Sequence, residues 1–335
     1  MGVSLHLGLH KTGSTALQQW LGGAIGRGPH ARYFFDSYIE LERVPSTQWL
    51  AQVRRKAART HLILSCEGAL GSMRRAYTNL DERLEILMPA LRGLDVHVVI
   101  FVRPQLGWLE SAYSQVLSEG KFVEPRSFLD QARASKYLYW ARLVERVEEA
   151  LEPTRLSVVP YSADTVVSDF CGAVGLKAPV GVADVRANHS LSLERSLAVG
   201  PLSTSLDVDW RDVRFLLQSM VPPVSGVERV SPFSDSDQEE ILVAYRTEWE
   251  QAGGLPRNSS DVEAFRKAWS NDSHRRPHSH RDPNDVDARL LSEYVALASE
   301  LYARSSVRRR RQFFLLAHDR PHLLAYIKRR LRVRR

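Results

Sequence analysis

Short apolar runs alternate with segments of helical period over the first 180 residues. Val3-Ser4-Leu5-His6-Leu7-Gly8 alternates and then breaks at glycine, which predicts a short buried strand. After the loop His10-Lys11-Thr12-Gly13, the run Ser14–Leu21 places Leu17 and Leu21 one turn apart and predicts a helix. Residues 22–45 carry no clear period. A helix follows over Thr47–Arg59, then a strand over His61–Ser65 that ends at Cys66-Glu67-Gly68. Leu80–Leu91 reads as an amphipathic helix stopped by Gly93. Val96–Val102 is the strongest strand, apolar almost throughout, as a strand buried on both faces should be. It ends at Arg103-Pro104. Helices are predicted over Gln105–Ser118 and Tyr137–Leu151, a fourth strand over Leu156–Tyr161, and a helix from about Asp164 to Val174.

Strands alternating with helices predict an α/β fold with a mostly parallel sheet. Beyond Pro179 the chain is helical and polar, with breaks at Pro222-Pro223, Gly253-Gly254 and His274–Pro283. The expected organisation is an α/β core over residues 1–180, a helical lobe of the same domain over 181–303, and a basic helical tail over 304–335.

Composition narrows the class. The 335 residues are 44% hydrophobic and 25% charged, which excludes disordered, collagen-like and disulfide-rich chains. Cys66 and Cys171 lie far apart, so a cysteine zinc site is excluded and reduced thiols in a cytoplasm are expected. No apolar run approaches the ~18 residues of a membrane span. The first residues lack the basic and apolar regions of a signal peptide. The net charge of +7 conceals two parts: residues 304–335 hold 12 bases against Asp319 alone, and the rest carries a net −4.

The loop after the first strand carries the chemistry. In Gly8-Leu9-His10-Lys11-Thr12-Gly13-Ser14-Thr15, backbone N–H groups and a helix N-terminus form an anion cradle. Lys11 adds a full charge, and Thr12, Ser14 and Thr15 add hydroxyls. The spacing approaches the nucleotide-binding pattern G-x-x-x-x-G-K-[ST], but Ser14 stands where lysine belongs and the lysine lies three residues upstream. The strongest strand ends in Arg103, where nucleoside triphosphatases place an acid for magnesium. That exchange suits a second anion better than Mg·ATP.

Lys11-Thr12-Gly13-Ser14-Thr15 resembles the 5′-phosphosulfate loop of sulfotransferases that use 3′-phosphoadenylyl sulfate (PAPS). Val99-Ile100-Phe101-Val102-Arg103-Pro104, with Ser111-Ala112-Tyr113 after it, resembles their 3′-phosphate motif. Leu64-Ser65-Cys66-Glu67-Gly68, Glu110–Gln115, Val158-Val159-Pro160-Tyr161, Asp169-Phe170, Gly175-Leu176 and Asn188–Ser192 are similar to stretches of bacterial members. The resemblance covers about residues 3–195, and Pro104 departs from the residue common after the arginine. It implies a P-loop-like three-layer α/β/α fold and metal-independent sulfuryl transfer from PAPS to a hydroxyl, less favourably an amine. The acceptor would be a carbohydrate, a glycolipid or a small metabolite.

Further site roles follow from that resemblance. Lys11 would stabilise the bridging oxygen and the leaving phosphate. Thr12, Gly13, Ser14 and Thr15 would hold the 5′-phosphosulfate, and Arg103 with Ser111 the 3′-phosphate. Glu67, at the carboxyl edge of the sheet, is the candidate general base, and the alternative for it is a helix cap or an ion pair with Arg103 or Lys11. His10 is the rival base, or a packing residue of the loop. Residues 22–45, 68–78 and parts of 180–280 are the expected acceptor side.

Two features stay outside this picture. His274, His278 and His280 lie among arginines and read as a solvated loop, with no metal expected. The tail interleaves Arg308–Arg311 and Lys328–Arg335 with Phe313–Leu316 and Leu323–Ile327. It reads as a docked helix pair or as a segment for an anionic membrane surface, which would add a peripheral inner-membrane address. Nucleic acid is the less favoured partner, and an anionic polysaccharide acceptor is a further option. Two alternative functions stand beside the transferase: a P-loop kinase, and a non-enzymatic basic protein peripheral to membrane or nucleic acid.

Overall fold

The computed structural model describes residues 2–25, 33–37, 47–177, 191, 193–206, 209–219 and 230–250. Five strands run in parallel: β1 (Val3–Gly8), β2 (Tyr33–Ser37), β3 (His61–Glu67), β4 (Val96–Val102) and β5 (Arg155–Pro160), in the order β2-β3-β1-β4-β5. The helices among them are α1 (Ser14–Ala24), α2 (Thr47–Arg59), α3 (Leu80–Leu91), α4 (Gln105–Leu117), α5 (Pro125–Arg133), α6 (Trp140–Leu151) and α7 (Val166–Val174). Further along come α8 (Leu193–Leu206), α9 (Trp210–Ser219) and α10 (Asp235–Glu250).

Packing divides the chain into two compact units. Of the described residues, the first takes 2–25, 33–37, 47–113, 123–177 and 230–250 and contains the sheet. The second takes 114–122, 191, 193–206 and 209–219. Within it α8 packs on α9, and the chain approaches itself at Gly200, where a side-chain carbon would stand 3.1 Å from the Gly120 carbonyl oxygen.

Central position explains the apolar runs. β1 is buried along its whole length between β3 and β4. α1 and α7 pack together against the sheet. Leu17 and Leu21 of α1 share one cluster with Ile63, Val99 and Phe101 of the sheet and Val166, Val167, Phe170 and Cys171 of α7. α3 packs against α2 and α6. The α/β architecture with a parallel sheet is therefore as the periodicity predicts.

The differences are local. β3 continues through Cys66 and Glu67, because Glu67 still pairs in register with Gly8. A short 3₁₀ turn at Lys136–Leu138 precedes α6, so the helix expected from Tyr137 starts at Trp140. β2 and α5 were not legible in the sequence. The 180 and 303 boundaries, Asn188–Ser190, the histidine loop and the basic tail lie outside the described residues.

Candidate active site

The strand order creates a switch point beside β1. The chain leaves β1 towards β2, whereas it leaves β4 towards β5. Loops that depart in opposite directions open a crevice at the carboxyl ends of parallel strands, the usual ligand position in such sheets. Gly8 is in register with both Glu67 and Phe101, so the loop after β1, Glu67 and Arg103 all emerge at this edge.

The first loop is tightly wound. Lys11 has φ 67° and Gly13 φ 75°, so two of its residues adopt the left-handed region, one of them with a side chain. Such a conformation costs about 1–3 kcal/mol and persists where the surroundings fix it. Here they do. The Thr12 hydroxyl donates to the Leu9 carbonyl at 2.6 Å. The His10 N–H donates to the Tyr77 hydroxyl at 3.0 Å, and the Trp108 indole N–H donates to the His10 carbonyl at 3.0 Å. A side chain on Gly13 would come within 2.8 Å of the Tyr161 ring. Gly8 is glycine for space: a Cβ there would stand 2.2 Å from Ser14 Oγ.

These bonds sort the loop's predicted ligands. The Thr12 hydroxyl is committed to Leu9, so its remaining donor towards a ligand is its backbone N–H. Ser14 is buried, and its hydroxyl has no hydrogen-bond partner among the described residues. A buried unpaired hydroxyl is costly unless something completes it. Gly13 caps the start of α1, where free N–H groups favour an anion. Thr15 occupies the second position of that helix and is half-buried.

The second loop is a paired unit. Arg103 donates to the Ser111 hydroxyl at 2.9 Å, across the turn from β4 into α4. Its guanidinium lies against Gly107, where a Cβ would meet Nε at 3.0 Å and the second terminal nitrogen at 3.1 Å. The Trp140 indole N–H donates to the Arg103 carbonyl at 2.7 Å. Tyr161 links the two loops: its ring backs Gly13, and the Arg103 charge favours ionisation of a hydroxyl that burial otherwise raises.

The two candidate bases now separate. Burial raises the Glu67 carboxyl above its ordinary range, and the Lys11 ammonium offsets part of that. Such a shift moves a carboxylate towards a useful basicity. Burial, reinforced by Lys11, lowers His10 to about 4. His10 is therefore a neutral, weakly basic ring, and its backbone groups anchor the loop to Tyr77 and Trp108. Among the described residues no cluster of histidine, cysteine, aspartate or glutamate could hold a metal ion.

Several residues around this site carried no sequence prediction: His6, Gln18, Trp108 and Trp140; Tyr77 falls in the 68–78 stretch expected on the acceptor side and here holds the first loop. Only register and folding bring them under the loops.

No protein-family model and no curated protein matches this chain. Among solved structures it is similar to mouse sulfotransferase SULT7A1 complexed with PAP, at 13% identity and a TM-score of 0.33, covering 92% of this chain and 87% of that one. A likeness of that size carries no weight for the site, which stands on its own geometry.

Proposed function

We propose that the chain is a PAPS-dependent sulfotransferase acting on a hydroxyl of a carbohydrate, a glycolipid or a small metabolite. The observation that carries this reading is the placement of two anion-directed loops, one with Lys11 and one with the Arg103–Ser111 pair, on the adjacent strands β1 and β4. One ligand with two anionic ends suits two such loops.

The residues present fit PAPS. The first loop offers a cation and donors: Lys11, the N–H groups at the start of α1 and the buried Ser14 hydroxyl. Arg103, braced by Ser111 and flat on Gly107, offers a planar fork to a phosphate. When bound, PAPS supplies a sulfuryl group for transfer to the acceptor oxygen, with adenosine 3′,5′-bisphosphate as the other product. Lys11 and the loop N–H groups stabilise charge where the leaving phosphate gathers it. Glu67 takes the acceptor's proton on a carboxylate oxygen. His10, Tyr77 and Trp108 keep the loop wound, so no reorganisation is needed at the moment of transfer.

Thermal denaturation tests this directly. Adenosine 3′,5′-bisphosphate in EDTA should raise the melting temperature in a concentration-dependent way. Stabilisation by Mg·ATP and not by the bisphosphate would favour a kinase and contradict the proposal.

A further inference from the structure

Below the anion loop lies a buried histidine that the proposed chemistry does not use. His6 is fully buried in the centre of β1 and is the register partner of Ser65. Its Nδ1 stands 2.8 Å from Ser65 Oγ. Phe101 and Phe170 pack edge-on against its ring. Gln18 donates to the same Ser65 hydroxyl at 3.1 Å and to the Ser65 carbonyl at 3.3 Å. Among the described residues neither His6 Nε2 nor Ser14 Oγ, both buried, has a hydrogen-bond partner. The two flank the same side of Gly8: a Cβ there would stand 2.2 Å from Ser14 Oγ and 3.3 Å from His6 Cε1.

Two proton orders fit these contacts. The Gln18 amide can only donate from its nitrogen, so Ser65 Oγ accepts from it. With its second lone pair Ser65 Oγ can accept from an Nδ1–H, or its O–H can donate to Nδ1, and the second order puts the single proton of a neutral imidazole on Nε2. Burial keeps the ring neutral, at a pKa of about 3. With the proton on Nε2, a water that accepts from it can donate to Ser14 Oγ, which leaves the serine's own hydrogen for the loop.

We infer that His6 is a positioning residue for the anion loop: with the Ser65 O–H donating to Nδ1 and the ring proton on Nε2, it turns the Ser14 hydroxyl, across one bridging water beside Gly8, to donate to the 5′-phosphosulfate group. The inference rests on the PAPS reading and adds to it a layer beneath the residues that touch the ligand. It also explains why Gly8 lacks a side chain, since a Cβ would fill the space the relay needs.

Glutamine places an amide nitrogen near the position of Nε2, whereas asparagine reaches only that of Nδ1. Calorimetric titration of adenosine 3′,5′-bisphosphate and of adenosine 3′-monophosphate into wild type, His6→Gln and His6→Asn separates the roles. His6→Asn should lose about tenfold in bisphosphate affinity, the equivalent of one buried hydrogen bond, and His6→Gln should stay close to wild type. Affinity for the 3′-monophosphate should be the same in all three. Equal losses in both variants, or none, would overturn the inference while the PAPS reading stands. A wild type that does not bind the bisphosphate would remove the reading and the inference with it. Nitrogen-15 NMR of histidine-labelled wild type reads the tautomer without any variant: Nε2–H is expected for His6, and Nδ1–H would overturn the proton order.

Discussion

Trp108 and Trp140 meet edge to face, with ring centroids 5.8 Å apart, and each pins a different loop of the candidate site. Trp108 holds the His10 carbonyl and Trp140 the Arg103 carbonyl. The pair thus fixes the spacing between the two anion-directed loops. Trp108→Phe keeps most of the packing but leaves the His10 carbonyl unpaired, at a cost of about 1–3 kcal/mol. Urea unfolding should show a loss in that range. Bisphosphate affinity should fall as well, and a variant with unchanged affinity would mean that the loop needs no such pin.

Arg103 and Ser111 should act as one unit on the 3′-phosphate. Arg103→Lys keeps the charge but loses the fork that lies on Gly107 and reaches Ser111. A charge-assisted hydrogen bond is worth about 1.5–3 kcal/mol, so affinity for adenosine 3′,5′-bisphosphate should drop about 10–100-fold. Affinity for adenosine 5′-phosphate, which has no 3′-phosphate, should be unchanged. Competition titrations with both nucleotides check this, and equal losses for both would place Arg103 elsewhere.

Glu67→Gln should remove turnover by about 10²–10⁴-fold while leaving bisphosphate affinity intact. Because burial raises the Glu67 carboxyl, wild-type turnover should fall as pH drops through a value above the ordinary carboxylate range. The same shift has a stability consequence of opposite sense. A folded pKa above the unfolded one means stability is lost as pH rises between the two. Glu67→Gln should therefore be no less stable than wild type near neutral pH by urea denaturation. A strongly destabilised variant would assign Glu67 a structural ion pair instead.

Four of the five strands could be read from the sequence because β1, β3, β4 and β5 lie next to one another and the first three of these are buried along most of their length. β2 was missed for the complementary reason. Tyr33–Ser37 pairs with β3 alone, at the sheet edge, and gives five residues of mixed polarity amid glycines and arginines. α5 is short and buries only Phe128, Leu129 and Ala132. The residues Lys11, Glu67 and Arg103 were legible because each lies at or just after the end of a strand and the parallel order gathers strand ends. The support beneath them was not. His6 and Ser65 are 59 positions apart and meet only through the register of β1 on β3. Tyr77 reaches His10 from a turn in which it and Ala76 both adopt positive φ, a conformation their residue types do not announce.

Glu248 of α10 should give the folded protein a distinct pH slope. Its carboxylate accepts the Ala141 N–H at 2.6 Å and a Gln105 amide hydrogen at 2.7 Å, near the start of α6. Burial nevertheless raises it from 4.5 to about 7. Between those values the folded state keeps a proton that the unfolded state has released, so stability falls as pH rises through this window and levels above it. The change is on the order of a few kcal/mol. Glu248→Gln removes the titration. Urea unfolding of both proteins from pH 4 to 8 should show a gap that shifts in favour of the variant with rising pH, and parallel curves would contradict the burial of this group.

The most direct test of the two-loop site is calorimetric titration of adenosine 3′,5′-bisphosphate in EDTA into wild type, Lys11→Ala and Arg103→Ala. Metal-independent binding by the wild type, weakened at least tenfold in each folded variant, is the predicted result. A folded wild type that binds no bisphosphate, or variants that bind as tightly as wild type, would contradict the assignment of these loops to PAPS.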